Sequence, residues 1–215
     1  MIHLLPAAAK MAERIILNKI TAHVDLEETQ YGSRRNRSTH DAIKQMIEFI
    51  EYNKDLKTEI MSIDIEGGFD KVDIDMVYDI MVYSGCPNNL VKWTRRWARN
   101  QSVRFRFNDR ISKTYHLTKG VPQGSPLSPY LFGIYVADIF KRRFETRPRL
   151  RCIVSSYVND GTILVAMTSI NKAKRTLSIL FDDCNKVAKA RGMSFSVSQT
   201  VTKQGRFHAM MSIDS

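Results

Sequence analysis

Between Gly120 and Pro129, two glycines and three prolines fall within ten residues, in the order Gly120-Val121-Pro122-Gln123-Gly124-Ser125-Pro126-Leu127-Ser128-Pro129. Proline fixes φ and removes an N–H, while glycine opens conformations closed to other residues, so this stretch reads as a rigid, shaped loop. It runs straight into the longest apolar run of the chain, Tyr130 to Phe140, broken by Asp138 and too short to cross a bilayer. The run predicts a helix around Leu131 to Phe140. A chain of 215 residues buries roughly 70% of its unfolded surface, so a core able to seat such a helix is available.

Around this feature, helical and alternating patterns intermix. Met11, Ala12, Ile15, Ile16 and Ile20 give helical spacing over Ala8 to Ile20. Ser38 and Asp41 form a capping-box pattern before Ile43, Met46, Ile47 and Ile50. Met61, Ile63 and Ile65 then alternate with Ile60, Ser62 and Asp64, predicting a strand that ends near Glu66. Asp73 and Pro87 open two further helices, the second reaching Asn100 with Leu90, Trp93 and Trp97. One hairpin is expected over Val103 to Leu117, turning at Asn108-Asp109. A second is expected over Cys152 to Met167, turning at Asn159-Asp160-Gly161. A long helix from Ile170 to Ala190 stops at Gly192, and Met193 to Ser198 reads as a closing strand. Hairpins mixed with helices favour an α+β fold over a doubly wound parallel sheet.

Thirty-three Lys and Arg against 22 Asp and Glu give a net charge of +11, which points to polyanionic partners, nucleic acid first. With 43% hydrophobic residues, ten glycines and six prolines, a disordered or collagen-like chain is excluded. Three scattered cysteines make neither a disulfide framework nor a zinc pattern. An intracellular protein of nucleus or cytoplasm, without a membrane segment, is expected.

Two segments carry candidate chemistry. Asp64 lies near a strand end inside an apolar run, where a carboxylate is costly unless it pairs or binds a cation. Asn159-Asp160-Gly161 is ordinary hairpin-turn chemistry. It equally brings oxygen-bearing side chains to a hairpin tip, where with Asp64 they could hold Mg²⁺.

With these motifs in order, the chain resembles a reverse transcriptase domain, most similar to those of non-LTR (LINE-like) retrotransposons. Gln30-Tyr31-Gly32-Ser33-Arg34 through Ala42 resembles a fingers motif, residues 62 to 72 the palm motif with the first catalytic aspartate, and Tyr157 to Asp160 the Tyr-x-Asp-Asp turn. The resemblance implies a right-hand polymerase of fingers (about 1–58) and palm (about 59–200, an antiparallel sheet with packed helices), with a fingers hairpin near 101–118, a tail over 201–215 and no thumb. It implies RNA template, DNA primer and dNTP as partners and two Mg²⁺ ions as cofactors. Asp64 and Asp160 would be metal ligands, assisted by the Ile65 carbonyl. Phe69 would exclude a ribose 2′-hydroxyl, Gln123 and Gly124 would lie against nucleotide and template, and Arg34 and Arg37 would meet the triphosphate. Arg95, Arg96, Arg99, Arg104 and Arg106, interleaved with Trp97 and Phe105, would bind nucleic acid.

The departures bear on activity. Asn159 replaces the first aspartate of the turn, and Gln199 replaces a lysine expected near the triphosphate. Gly68 and Ser33 are smaller changes. The chain begins inside the first fingers motif and ends soon after Gln199, as a truncated copy would. A weak or inactive RNA-directed DNA polymerase is therefore expected. The alternative is a non-catalytic remnant that at most binds nucleic acid.

Overall fold

The computed structural model describes residues 4–141 and 150–196, together with the backbone of Val201–Gln204. Helix α1 (Ala7–Ile20) follows Pro6, and α2 (Thr39–Tyr52) opens on the expected capping box. In that box the Ser38 amide donates to the Asp41 carboxylate at 2.7 Å, and the Asp41 amide donates to Ser38 Oγ at 3.3 Å. Strand β1 (Lys57–Asp64) precedes a single turn, α3 (Gly68–Lys71). Helix α4 (Ile74–Tyr83) is capped by Asp73, and α5 (Asn88–Arg99) follows Pro87. Four two-residue strands come next: β2 (Ser102–Val103), β3 (Arg106–Phe107), β4 (Arg110–Ile111) and β5 (Tyr115–His116). After the proline-rich loop stands α6 (Ser128–Val136), then β6 (Arg151–Tyr157), β7 (Asp160–Met167), the Ser169-capped α7 (Ile170–Ala190) and β8 (Val201–Gln204).

These elements form two compact units, each built from two stretches of chain. The first unites Met1–Leu26 with Gly67–Ala137, the second Glu27–Glu66 with Asp138–Ser215. In the first unit α4 packs on α5 and on α6, around buried Val77, Met81, Val91, Leu131 and Phe132. The loop is as rigid as its composition demands. Gly120 and Val121 donate to the Val72 and Phe69 carbonyls at 3.1 and 2.9 Å. A Cβ on Gly120 would stand 2.8 Å from the Asp70 backbone, and its φ of +84° suits glycine alone. The Glu13 carboxylate, buried on α1, accepts from Ser125 Oγ at 2.5 Å and from Trp97 Nε1 at 2.9 Å. That bond engages Trp97 inside the unit rather than on the basic surface expected from the sequence.

The second unit is a four-stranded sheet ordered β6-β7-β1-β8, every pair antiparallel. Helix α7 packs across β1 and β7, and α2 packs against β6. Ile63, Ile163, Leu164, Leu177 and Leu180 are buried there. Strands and helices mix as an α+β fold requires.

Four local expectations need correction. Helix α6 ends at Val136 rather than running to Phe140. In Met193 to Ser198 the described residues carry a single bridge, Phe195 to Ile65, rather than a strand. Gln199, with residues 197–200, lies outside the described residues, and Val201–Gln204, expected in a tail, instead forms an edge strand on β1. Finally, the β6–β7 hairpin turns at Val158-Asn159, earlier than the Asn-Asp-Gly chemistry suggests, because Asp160 and Gly161 already pair within the sheet.

Candidate active site

The register of β1 with β7 places Asp64 directly opposite Asp160, at the end of one strand and the start of the other. Asn159, next to Asp160 in the turn, completes the group. Its carbonyl accepts from the Ile65 amide at 3.1 Å. Its side-chain Nδ2 donates to Asp64 Oδ1 at 2.6 Å. A two-residue turn and one register therefore bring three side chains from 95 residues apart in sequence to one end of the sheet's two central strands.

Two carboxylates facing each other across a ladder resist double ionisation. Local burial of the Asp160 carboxyl, then the Asp64 charge, then the hydrogen bond the two share, push its pKa above the ordinary aspartate value. An open cavity of about 400 Å³ adjoins them, lined by Ser62, Ile63, Asp64, Asp160, Gly161 and Thr162. Paired like charges beside an open space suit a hard cation, and Mg²⁺ is commonly held by one or two carboxylates with water and phosphate oxygens completing its shell. Among the described residues no cluster of three or more Asp, Glu, His or Cys forms. Asp64 and Asp160 are thus the two carboxylates available to such an ion. Asn159 turns an N–H toward Asp64 where a third carboxylate would carry charge.

The turn itself is strained. Val158 has φ of +58°, a conformation that β-branched residues rarely adopt. One side chain offsets the cost. Gln30 Oε1 accepts from the Val158 amide and from the Gly32 amide, both at 2.9 Å, and Gln30 Nε2 donates to the Val158 carbonyl at 3.3 Å. The flanking backbone is pinned as well: Tyr31 donates to Ser156 at 2.8 Å and Ser156 donates to Thr29 at 2.7 Å. A Cβ on Gly32 would sit 2.6 Å from the Val158 nitrogen. Gly161 is required for a different reason, since a Cβ there would lie 2.3 Å from the Phe140 ring. Sequence reasoning missed Gln30, Gly32 and Val158 as parts of the site. The available signal was a glutamine and a glycine flanking Tyr31 in a motif otherwise read for its arginines.

The remaining site candidates are distributed as follows. In the second unit, Arg34 donates to the Glu27 carbonyl at 3.1 Å, and exposed Arg37 lies over the buried Tyr31 ring at 5.1 Å. In the first unit, Phe69 on α3 stacks on Phe132 with centroids 4.9 Å apart. Gln123 is half-buried and Gly124 exposed in the loop. The expected arginine surface is divided. Arg95 and Arg99 both bind the Asp75 carboxylate, at 2.8 and 2.7 Å, and Arg95 also covers Tyr78. Against a cost of burial, Arg99 and then Arg95 hold the Asp75 carboxyl below its usual range. Arg96, Arg104 and Arg106 are exposed.

The sequence pattern of the family described as reverse transcriptase (RNA-dependent DNA polymerase) matches residues 1–207, and the chain belongs to that family. Its relatives include the probable RNA-directed DNA polymerase from transposon BS of Drosophila melanogaster, 27% identical over 82% of this chain and 20% of that protein. Another is the RNA-directed DNA polymerase from mobile element jockey of Drosophila funebris, 26% identical over 83% of this chain and 20% of that protein. These relatives place the domain among LINE-like retrotransposon reverse transcriptases, and it spans about a fifth of their length. Among solved structures, telomerase from Candida tropicalis in complex with a fragment of telomeric RNA has the same fold, with a TM-score of 0.64, 12% identity and coverage of 92% of this chain and 33% of that one. Apo telomerase from the same organism gives a TM-score of 0.63 at 10% identity, over 93% of this chain and 37% of that one.

Proposed function

We propose that this domain is built for RNA-templated DNA synthesis by metal-assisted nucleotidyl transfer, and that Asn159 impairs it. The observation that carries the reading is the register pairing Asp64 with Asp160 beside an open cavity. By motif position, the β6-β7-β1-β8 sheet corresponds to the palm, and Asp64, Asp160 and the Ile65 carbonyl would hold divalent ions. When bound, such ions supply charge stabilisation at the transferring phosphoryl group and a lowered pKa for the primer 3′-hydroxyl. The residues of the chain orient that chemistry. Asp64 and Asp160 contribute negative charge, the Gln30-held turn fixes where Asp160 starts, and Phe69, Gln123, Gly124, Arg34 and Arg37 take the nucleotide-facing roles of their motifs. Arg95, Arg96, Arg99, Arg104 and Arg106 are proposed to meet template and primer phosphates. Of these, Arg95 and Arg99 would first have to share or release Asp75.

The hydrogen bond from Asn159 to Asp64 favours the second reading, a remnant without catalysis. It occupies one oxygen of the essential carboxylate with a neutral donor. Metal charge stabilisation is worth several kcal/mol, and each 1.36 kcal/mol is tenfold in rate, so a loss of at least about 10²-fold follows. Primer extension on an RNA template with Mg²⁺, comparing this chain with Asn159→Asp after both are shown to fold, tests the proposal. Extension by the variant alone, or faster by ~10² or more, supports it. Equal extension by both overturns the role given to Asn159. Extension by neither favours the remnant.

A further inference from the structure

The segment from Ser102 to His116 is a hairpin that buries almost nothing. Its outer ladder pairs β2 with β5, and its inner ladder pairs β3 with β4. Register sums shift by one between the two, because Val103 faces Tyr115 while Arg106 faces Ile111. The extra residue bulges on the returning strand and twists the tip. Directly opposed residues share a face, so Phe107 stands with Arg110 and Ile111 stands with Arg106. Phe107 is 79% exposed and Ile111 62%. Phe105 and Tyr115, also exposed, meet edge to face at 5.5 Å, and Lys113 lies 5.4 Å from the Tyr115 ring.

Two properties of this surface select a partner. Its charge is one-sided: Arg104, Arg106, Arg110 and Lys113 stand against Asp109 as the only acid between Gln101 and Thr118. Of its aromatic rings, Phe107 is presented rather than packed, on the same face as Arg110, and Tyr115 lies beside Lys113. A protein groove of neutral chemistry would leave those cations unpaired, and a duplex hides its base faces. A single strand offers phosphates to the cations and flat base faces to the rings.

We infer that the Ser102–His116 hairpin is a stacking platform for single-stranded nucleic acid, with Phe107 its principal ring. This deepens the nucleic-acid reading and rests on it for the class of partner. The test is fluorescence anisotropy of this chain with labelled oligo(U) RNA, oligo(dT) and a blunt DNA duplex across a salt series. Phe105→Ala with Phe107→Ala is expected to weaken binding of both single strands by about 10- to 100-fold, with less than about 3-fold change for duplex. Phe107→Trp keeps a ring and is expected to keep the affinity. Arg106→Gln with Arg110→Gln is expected to reduce the slope of log affinity against log salt by about 1.4, at ~0.7 per phosphate on a single strand. Because the tip lies outside both cores, all variants should keep the parent unfolding midpoint.

Undiminished single-strand binding in the double alanine variant overturns the inference while leaving the polymerase reading intact. Equal losses for duplex and single strand overturn it too, assigning the hairpin to general charge attraction. If sedimentation shows that the parent is a dimer that the alanine variant dissolves, the face is an interface between copies and the inference fails. Absence of any binding by the parent overturns both the inference and the nucleic-acid reading.

Discussion

Two hairpins in this molecule turn through two residues with the first in the left-handed region, and they solve the same problem in opposite ways. Between β3 and β4 the residue is Asn108, at φ +52°; between β6 and β7 it is Val158, at φ +58°. Asparagine enters that region readily, because its short polar side chain bonds locally. Valine does not, and a strained residue persists only where its surroundings over-determine it. The exposed hairpin has two-residue ladders and a turn residue that needs no help. The β6–β7 turn has a seven-residue ladder, a glutamine giving three hydrogen bonds and a glycine cleared of its Cβ. Strain is affordable where it positions Asn159 and Asp160, and avoided where the backbone only has to reverse.

The contrast can be broken at several points. The largest effect is expected from Gly161→Ala, which drives a methyl into the Phe140 ring; overpacking of this kind costs about 3 kcal/mol, read as a fall in the urea midpoint. Gln30→Ala leaves the amides of Val158 and Gly32 without their acceptor. It should cost about 2 kcal/mol in the same assay, and raise hydrogen exchange at Val158 more than at Leu164. In an Asn159→Asp background it should also lower extension rate beyond what the stability loss explains. Val158→Gly relieves the strain and should stabilise by about 1 kcal/mol, while Asn108→Gly should change stability by less than about 0.5 kcal/mol. Equal responses at Val158 and Asn108 would show that the two turns do not differ in strain.

A pH dependence separates the two regions further. Burial pushes the Glu59 carboxyl on β1 above its ordinary value of 4.5, with Lys174 pulling the other way, and its Oε1 has no hydrogen-bond partner among the described residues. A carboxyl raised on folding contributes stability below the unfolded value and loses it as pH rises through the folded one. Glu59→Gln should therefore gain over the parent at pH 7 and not at pH 4, compared by urea midpoints.

Much of the fold was legible. The Ser38–Asp41 capping box, the Asp73 cap and the strand alternation around Ile63 are local chemistry, and each forms close to where the residues place it. The turn of the β6–β7 hairpin was misplaced for a physical reason. Local propensity favours Asn-Asp-Gly, but the sheet register and the Phe140 ring above Gly161 hold that glycine inside a strand, and Gln30 forces Val158 into the turn instead. In the same way the sequence reads Trp97 and the pair Arg95 and Arg99 as part of a nucleic-acid-binding surface, and only the structure shows Glu13 and Asp75 engaging them.

By itself, then, the sequence determined the family, the α+β class and the identities of Asp64, Asn159 and Asp160, because those rest on residue order and short-range spacing. Only tertiary structure decided that Asp64 faces Asp160, that Asn159 donates to Asp64, and that Gln30 holds the turn between them. Each of those contacts joins residues about a hundred positions apart, and a long-range register is set by the packing of a whole sheet rather than by any segment of it.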